Sequence, residues 1–257
     1  MVEITIFVEG GVAPSLANPQ LTPDSTVVLR ESFNSLFSQR IDPKKFNLVV
    51  VPIGGYLNVP VLFLPEASKN DKAIALLDFA EPADDLEKAV RTGISKHSTL
   101  IFDKNDPDVF RSECIIELGL AGYRERVFFM NREMEAWILS QPEEIEKYGT
   151  AKDFIRKIPE ETISGHASLR VLHPSLIKDP KMALNTIFIE FFDQQKRMRD
   201  GRLRSKAKQY IPSKDGPRMI AMLTLEKLME VFPDAKNLVE WIWSLPTSPL
   251  SAAPSPD

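Results

Sequence analysis

The sequence predicts an α/β fold: a parallel sheet flanked by helices, with a helical C-terminal extension. Three observations carry this. A short apolar run, Val2 to Val8, and a continuous, β-branched one, Phe46 to Val51, each stop at a Gly or Pro cluster, as buried strands do. Between them Leu29, Phe33, Leu36 and Phe37 follow the i, i+4, i+7, i+8 spacing of one helix face, and strand–helix–strand order signals a parallel sheet covered by helices. Beyond about residue 160 the strand signals fade and helical stripes take over.

In chain order, the first strand ends at the turn Glu9-Gly10-Gly11, and residues 12–24, rich in Pro, Asn and Ser, read as an exposed loop. The helical stripe spans Val27 to Ile41, and Pro52 with Gly54-Gly55 stops the second strand. Ala73 to Leu77 is a third strand ending at Asp78, and Asp84-Asp85 starts a helix to about Thr92. Thr99 to Phe102 is a short strand before a turn-like 103–108. Val109 to Leu120 is helical, Arg126 to Met130 is a further strand, and Glu133 to Leu139 turns into helix. Leu184, Ile187, Phe188, Phe191 and Phe192 stripe a helix running into a basic segment. Thr224 starts another helix, and Asp234 caps one carrying Leu238, Trp241 and Ile242. The chain thus divides into an α/β core over 1–160, a helical region over 161–245 and a Pro- and Ser-rich tail over 246–257 expected to be disordered.

At 257 residues the chain can bury a core without staples, and its single cysteine, Cys114, excludes a disulfide-built scaffold. The opening apolar run is too short and too acidic for a signal peptide, and no apolar stretch reaches the roughly 18 residues of a membrane span. The expectation is a cytoplasmic protein with no membrane partner. The net charge of −4 hides an asymmetry: from Lys196 to Arg218 nine basic residues face only Asp200 and Asp215, a local charge of +7. An acidic body with one basic segment points to a polyanion, DNA or RNA, held by Arg202, Arg204, Lys206, Lys208 and Lys214; a solvated helix end and loop fits the composition equally.

Several chemistries are struck out. There is no phosphate-binding G-x-x-x-x-G-K-[ST] loop, no three-glycine dinucleotide fingerprint and no G-x-S-x-G elbow. His97, His166 and His173 share no ligand spacing with Cys114, so they read as ordinary loop or surface residues. What remains is carboxylates at strand ends: Glu9 after the first strand, Asp78 after the third, Glu133 and Glu135 after the last. In an open parallel sheet such positions converge on one crevice. Clustered carboxylates repel unless a cation neutralises them, and hard oxygen donors select Mg²⁺ or Mn²⁺. Taken singly, each carboxylate can instead cap a helix or stay solvated. Glu133 and Glu135 share a face only on an extended backbone; on a helix they lie about 200° apart.

Val8-Glu9-Gly10 after a first strand, with an acidic residue ending a later parallel strand, resembles the Toprim domain of topoisomerases, primases and OLD-type nucleases. Glu9-Gly10-Gly11, Leu29-Arg30-Glu31-Ser32-Phe33 and Glu133-Met134-Glu135-Ala136-Trp137 look more specifically like a bacterial Toprim-like family of unknown function, often encoded beside AAA- or OLD-like ATPases. The Lys206 to Gly216 stretch is similar to that family's Lys/Tyr-rich C-terminal signature. The resemblance implies a Toprim/Rossmann-like sheet, Glu9 as general acid/base or metal ligand, and Asp78 as first carboxylate of a D-x-D pair. The sequence departs there: Ala80 stands at the second position and Glu81 arrives one residue late, with Asp103, Asp106 and Asp108 in reserve. Trp137 reads as a packing anchor.

These observations lead to three expectations from different classes. The first is a Mg²⁺- or Mn²⁺-dependent nuclease working with an AAA-type ATPase in defence against phage, with Glu9, Asp78 and Glu133 catalytic and Glu9, Asp78, Glu81 and Glu135 holding metal. The ATPase and the defence role come from the resemblance alone. The second is a catalytically silent nucleic-acid-binding or regulatory subunit, as Ala80 suggests. The third is a protein-interaction module. Oligomeric state is open, a homo-oligomer included. Glu9→Ala is expected to abolish cleavage with little loss of stability.

Overall fold

The computed structural model describes residues 1–11, 24–79, 115–131, 133–170, 173–177, 179–197 and 203–247. Among these residues four strands, β1 (Val2–Val8), β2 (Phe46–Pro52), β3 (Ala73–Phe79) and β4 (Val127–Asn131), form one sheet in the order β2-β1-β3-β4. Every pairing is parallel. The chain leaves β1 to one side for β2 and returns past it for β3, so the order reverses between β1 and β3. At such a switch point the carboxyl ends of an open parallel sheet leave a crevice.

Side-chain alternation sorts the apolar residues into two layers. Ile4, Ile6, Val8, Ile74, Leu76, Phe128 and Met130 face one core; Phe7, Ala73, Ala75, Leu77, Val127 and Phe129 face the other. The second layer is covered by α2 (Val59–Ala67) and by Ile115, Leu118 and Leu120. The first is covered by α1 (Asp24–Phe37), whose Leu29, Phe33, Leu36 and Phe37 are the stripe read from the sequence. That layer continues without interruption into the C-terminal helices, through Leu184, Phe188, Met219, Leu228 and Ile242. Residue 160 thus marks a change in sequence character within a single core.

After β4 the chain holds α3 (Met134–Leu139), α4 (Pro142–Ala151), α5 (Pro180–Phe191), α6 (Pro212–Ile220), α7 (Leu225–Val231) and α8 (Pro233–Ser244). It also contains a second sheet, antiparallel in the order β5-β6-β7: β5 (Ile155–Arg156), β6 (Phe192–Arg197) and β7 (Leu203–Ala207). This corrects the expectation of a helix running into the basic segment. The helix stops at Phe191 because Phe192 turns extended, φ −128° and ψ 139°, and drives its ring against α4. Gly149 makes the room: a Cβ there would lie 2.3 Å from the Phe192 ring. A smaller correction concerns α8, whose N-cap position is Phe232 with no side-chain cap, while Asp234 lies buried in its first turn. The elements expected between 80 and 114, and the tail from 248, lie outside the described residues. Among the described residues no helix is long and apolar enough to cross a membrane.

Candidate functional site

The switch point collects the strand-end carboxylates. After β1 the chain turns at Gly10, which holds φ +117° and pairs with Gly54 through two backbone hydrogen bonds, Gly10 N to Gly54 O at 2.7 Å and the reverse at 2.9 Å. That left-handed backbone favours glycine. It seats Glu9 across the carboxyl ends of three strands: its Oε1 accepts from Tyr56 N at 3.0 Å, beyond β2, and its Oε2 from Asp78 N at 3.0 Å, in β3. Asp78 Oδ1 in turn accepts from Met134 N at 3.1 Å, satisfying an orphan donor of the first turn of α3.

Glu133 ends the crossover from β4 at φ 74° and ψ 162°, a region that essentially only glycine populates. This strained residue lets Glu133 and Glu135 meet the same surroundings although the latter is already helical. Glu133 Oε1 lies 3.5 Å from Lys181 Nζ in the first turn of α5, and buried Glu135 accepts from the Tyr210 hydroxyl at 2.9 Å. Asn185, one turn beyond Lys181, accepts from Tyr210 N at 3.1 Å, so α5 positions both residues. Gly216 completes the fit, since a Cβ there would sit 2.6 Å from the Tyr210 hydroxyl and 2.7 Å from Met134 Cε.

The electrostatics are one-sided. Burial, followed by the Glu9, Glu135 and Glu133 carboxylates, pushes the Asp78 carboxyl well above its usual range, against the pull of Lys181. Burial also raises Glu135, opposed by Lys181 and by the Tyr210 hydrogen bond, with Glu133 adding to the rise. Burial alone would lower Lys181, but Glu135, Glu133 and Asp78 together raise it. Tyr210 is pushed far up by burial and by Glu135. Four carboxylates thus share an edge where one described cation faces three of them.

A hard divalent cation fits this donor set in chemistry and charge. Among the described residues no three acidic, His or Cys side chains close into a metal-holding group. Mg²⁺ typically takes only one or two carboxylates and keeps its waters, so a closed cage is not required. The residues that would hold it are Glu9, Asp78 and Glu135. Glu81, Ala80, Asp103, Asp106 and Asp108 lie outside the described residues.

The basic segment divides. Arg204 and Lys206 are exposed on β7, and Lys214 is exposed on α6; Arg202 lies outside the described residues. Lys208 is a correction: it is buried at 5% exposure, its Nζ donating to Asp215 Oδ2 at 2.6 Å and to Gln209 O, with the Phe154 and Phe188 rings 5.3 Å away. Asp215 also accepts from Tyr148 Oη at 2.7 Å and Ile211 N at 2.8 Å. The Lys206 to Gly216 stretch therefore works mainly inward, as a buried charged knot whose Tyr210 reaches the acidic edge. Sequence reasoning missed Lys181 and the inward role of Tyr210 and Asp215. A Lys two residues after the helix-capping Asp179 was the available signal, and it is not specific.

The Leu29-Arg30-Glu31-Ser32-Phe33 island lies elsewhere. Leu29 and Phe33 are core, Ser32 Oγ donates to Val28 O at 2.7 Å, and Glu31 and Ser32 line an open cavity of about 390 Å³ with Tyr148, Lys152 and Arg218. None of the four carboxylates lines it. Trp137 is fully buried with its ring 6.1 Å from Phe232, as a packing anchor should be. His166 and His173 accept from Ser168 N and Ser175 N in short 3₁₀ turns. Comparison with protein-family models, curated proteins and solved structures finds no match.

Proposed function

We propose that this chain is a Mg²⁺- or Mn²⁺-dependent nuclease of Toprim-like type, cleaving phosphodiester bonds of DNA or RNA and acting with an AAA-type ATPase in defence against phage. The observation that carries the reading is the meeting of Glu9, Asp78, Glu133 and Glu135, from the ends of three parallel strands, at the sheet's switch point. A bound divalent cation would supply activation of water and neutralisation of charge at the phosphate. The protein's own groups do the rest: Glu9 and Asp78 fix the edge by gripping backbone N–H groups, Tyr210 orients Glu135, and Glu133 faces Lys181. The β6–β7 ribbon supplies a polyanion contact through Arg204 and Lys206, which begins within a few residues of Tyr210. The ATPase and the defence role rest on the sequence resemblance.

A second reading is a silent nucleic-acid-binding subunit of the same fold. It is favoured by the backbone N–H groups that both Glu9 oxygens and Asp78 Oδ1 already serve, which is structural work. The test incubates the protein with plasmid DNA and with RNA in Mg²⁺, Mn²⁺ or EDTA, beside Glu9→Gln. Glutamine replaces alanine because it keeps one acceptor oxygen for the two backbone donors that Glu9 serves, Tyr56 N and Asp78 N, whereas alanine keeps none and so is expected to lose some stability at the part-buried Asp78 N. Metal-dependent cutting lost in Glu9→Gln is expected. Binding without cutting, persisting with ATPase and ATP added, would establish the silent subunit. Charge reversal at Arg204 and Lys206 should reduce the salt slope of binding by about 1–2 units.

A further inference from the structure

We infer that Lys181 is, among the described residues, the counter-cation of the carboxylate edge, and that a divalent cation is taken up by displacing it. The inference rests on the reading of Glu9, Asp78 and Glu135 as cation ligands. Its basis is the contrast between how Lys181 is anchored and how its ammonium is held. The backbone is fixed: Pro180 is buried at the first position of α5, and Asp179 caps the helix by accepting from Met182 N at 2.7 Å. The ammonium is held loosely. Among the described residues its ion-pair contact is a 3.5 Å approach to Glu133 Oε1, with the side chain 49% exposed. Its further attraction to Glu135 and Asp78 is through space.

Lys208 shows what a permanent structural ammonium looks like in this protein: 6% exposed, with a carboxylate at 2.6 Å and two aromatic rings around it. Lys181 has none of that enclosure and four rotatable bonds on which to leave. A monovalent ammonium facing three carboxylates neutralises one charge, whereas a divalent cation neutralises two and accepts several oxygens at once. The ammonium therefore keeps the edge tolerable at low metal and yields as metal rises. Lys181 is accordingly a positioning residue that sets the metal concentration at which the site fills.

The experiment titrates Mn²⁺ alone into the full chain and counts free Mn²⁺ by electron paramagnetic resonance, for wild type, Lys181→Met and Lys181→Arg. Melting temperatures are measured in EDTA and in Mn²⁺. A unit charge a few ångströms away at surface screening is worth a factor of about ten or more. Lys181→Met should therefore bind Mn²⁺ about tenfold more tightly, and Lys181→Arg like wild type. Lys181→Met should also melt below wild type in EDTA, with the gap closing in Mn²⁺. Unchanged or weaker Mn²⁺ affinity in Lys181→Met overturns the inference and leaves the metal site standing. Absence of Mn²⁺ uptake in wild type and both variants removes the metal site itself, and the inference with it.

Discussion

Two clusters of charge in this molecule meet at Tyr210, and they are built on opposite terms. The knot of Lys208, Asp215 and Tyr148 is closed: one cation meets one carboxylate at 2.6 Å, and the carboxylate's remaining capacity is taken by Tyr148 Oη and Ile211 N. The acidic edge is open: among the described residues Asp78, Glu133 and Glu135 face one loosely held ammonium, with Glu9 beside Asp78, and two of the carboxyls are raised by burial and mutual repulsion. A buried charge set that balances internally supports structure, whereas one left unbalanced retains affinity for something outside the chain. Tyr210, placed between them by Asn185 and Gly216, joins the frame to the edge.

The sharpest way to break this comparison is Asp78→Asn. If the edge is functional, cleavage falls by about 10²–10⁴-fold, the range for losing a catalytic carboxylate, with no loss of stability. The pH dependence follows from the sign of the shift. A carboxyl raised in the folded state above its ordinary 3.8 contributes stability that is fully present below that value and lost as pH rises through the folded pKa. Denaturation of wild type and Asp78→Asn should therefore diverge in favour of the variant as pH rises above the ordinary carboxylate range. Parallel curves would show that Asp78 is not held in a repelling cluster.

Asp215→Ala tests the other side. It leaves the Lys208 ammonium buried without its carboxylate and strands Tyr148 Oη and Ile211 N, so urea unfolding should lose about 3–5 kcal/mol. A loss under about 1 kcal/mol would make the knot dispensable and dissolve the contrast.

The smallest effect sharpens the edge itself. Glu133→Gly removes the penalty of a glycine-only backbone and should raise stability by about 1 kcal/mol over Glu133→Ala while leaving cleavage as low as in that variant. Equal stability of the two would mean the conformation at Glu133 stores no strain.

Much of the sheet was legible because its information is local. Val2–Val8, Phe46–Pro52 and Ala73–Phe79 alternate or run apolar over a few residues, and Glu9 and Asp78 stand where those runs stop. The hairpin was not legible. Asp193 to Arg197 and Leu203 to Ala207 are polar, two-faced strands with little periodicity, and their pairing depends on Phe192 finding the space over Gly149. Glu133 and Glu135 read as alternatives on helix or strand because the answer lay in an unusual φ that no spacing rule anticipates.

The sequence by itself determined that a parallel sheet would present acidic residues at its carboxyl ends, because strand period and turn chemistry act between near neighbours. Tertiary structure alone decided which charges are compensated. Tyr210 reaches Glu135 across 75 residues and Tyr148 reaches Asp215 across 67. Whether a lysine is a surface contact, like Lys206, or a buried strut, like Lys208, depends on what packs around it, and for an ionised group burial and partners set the energy far more than its place in the chain.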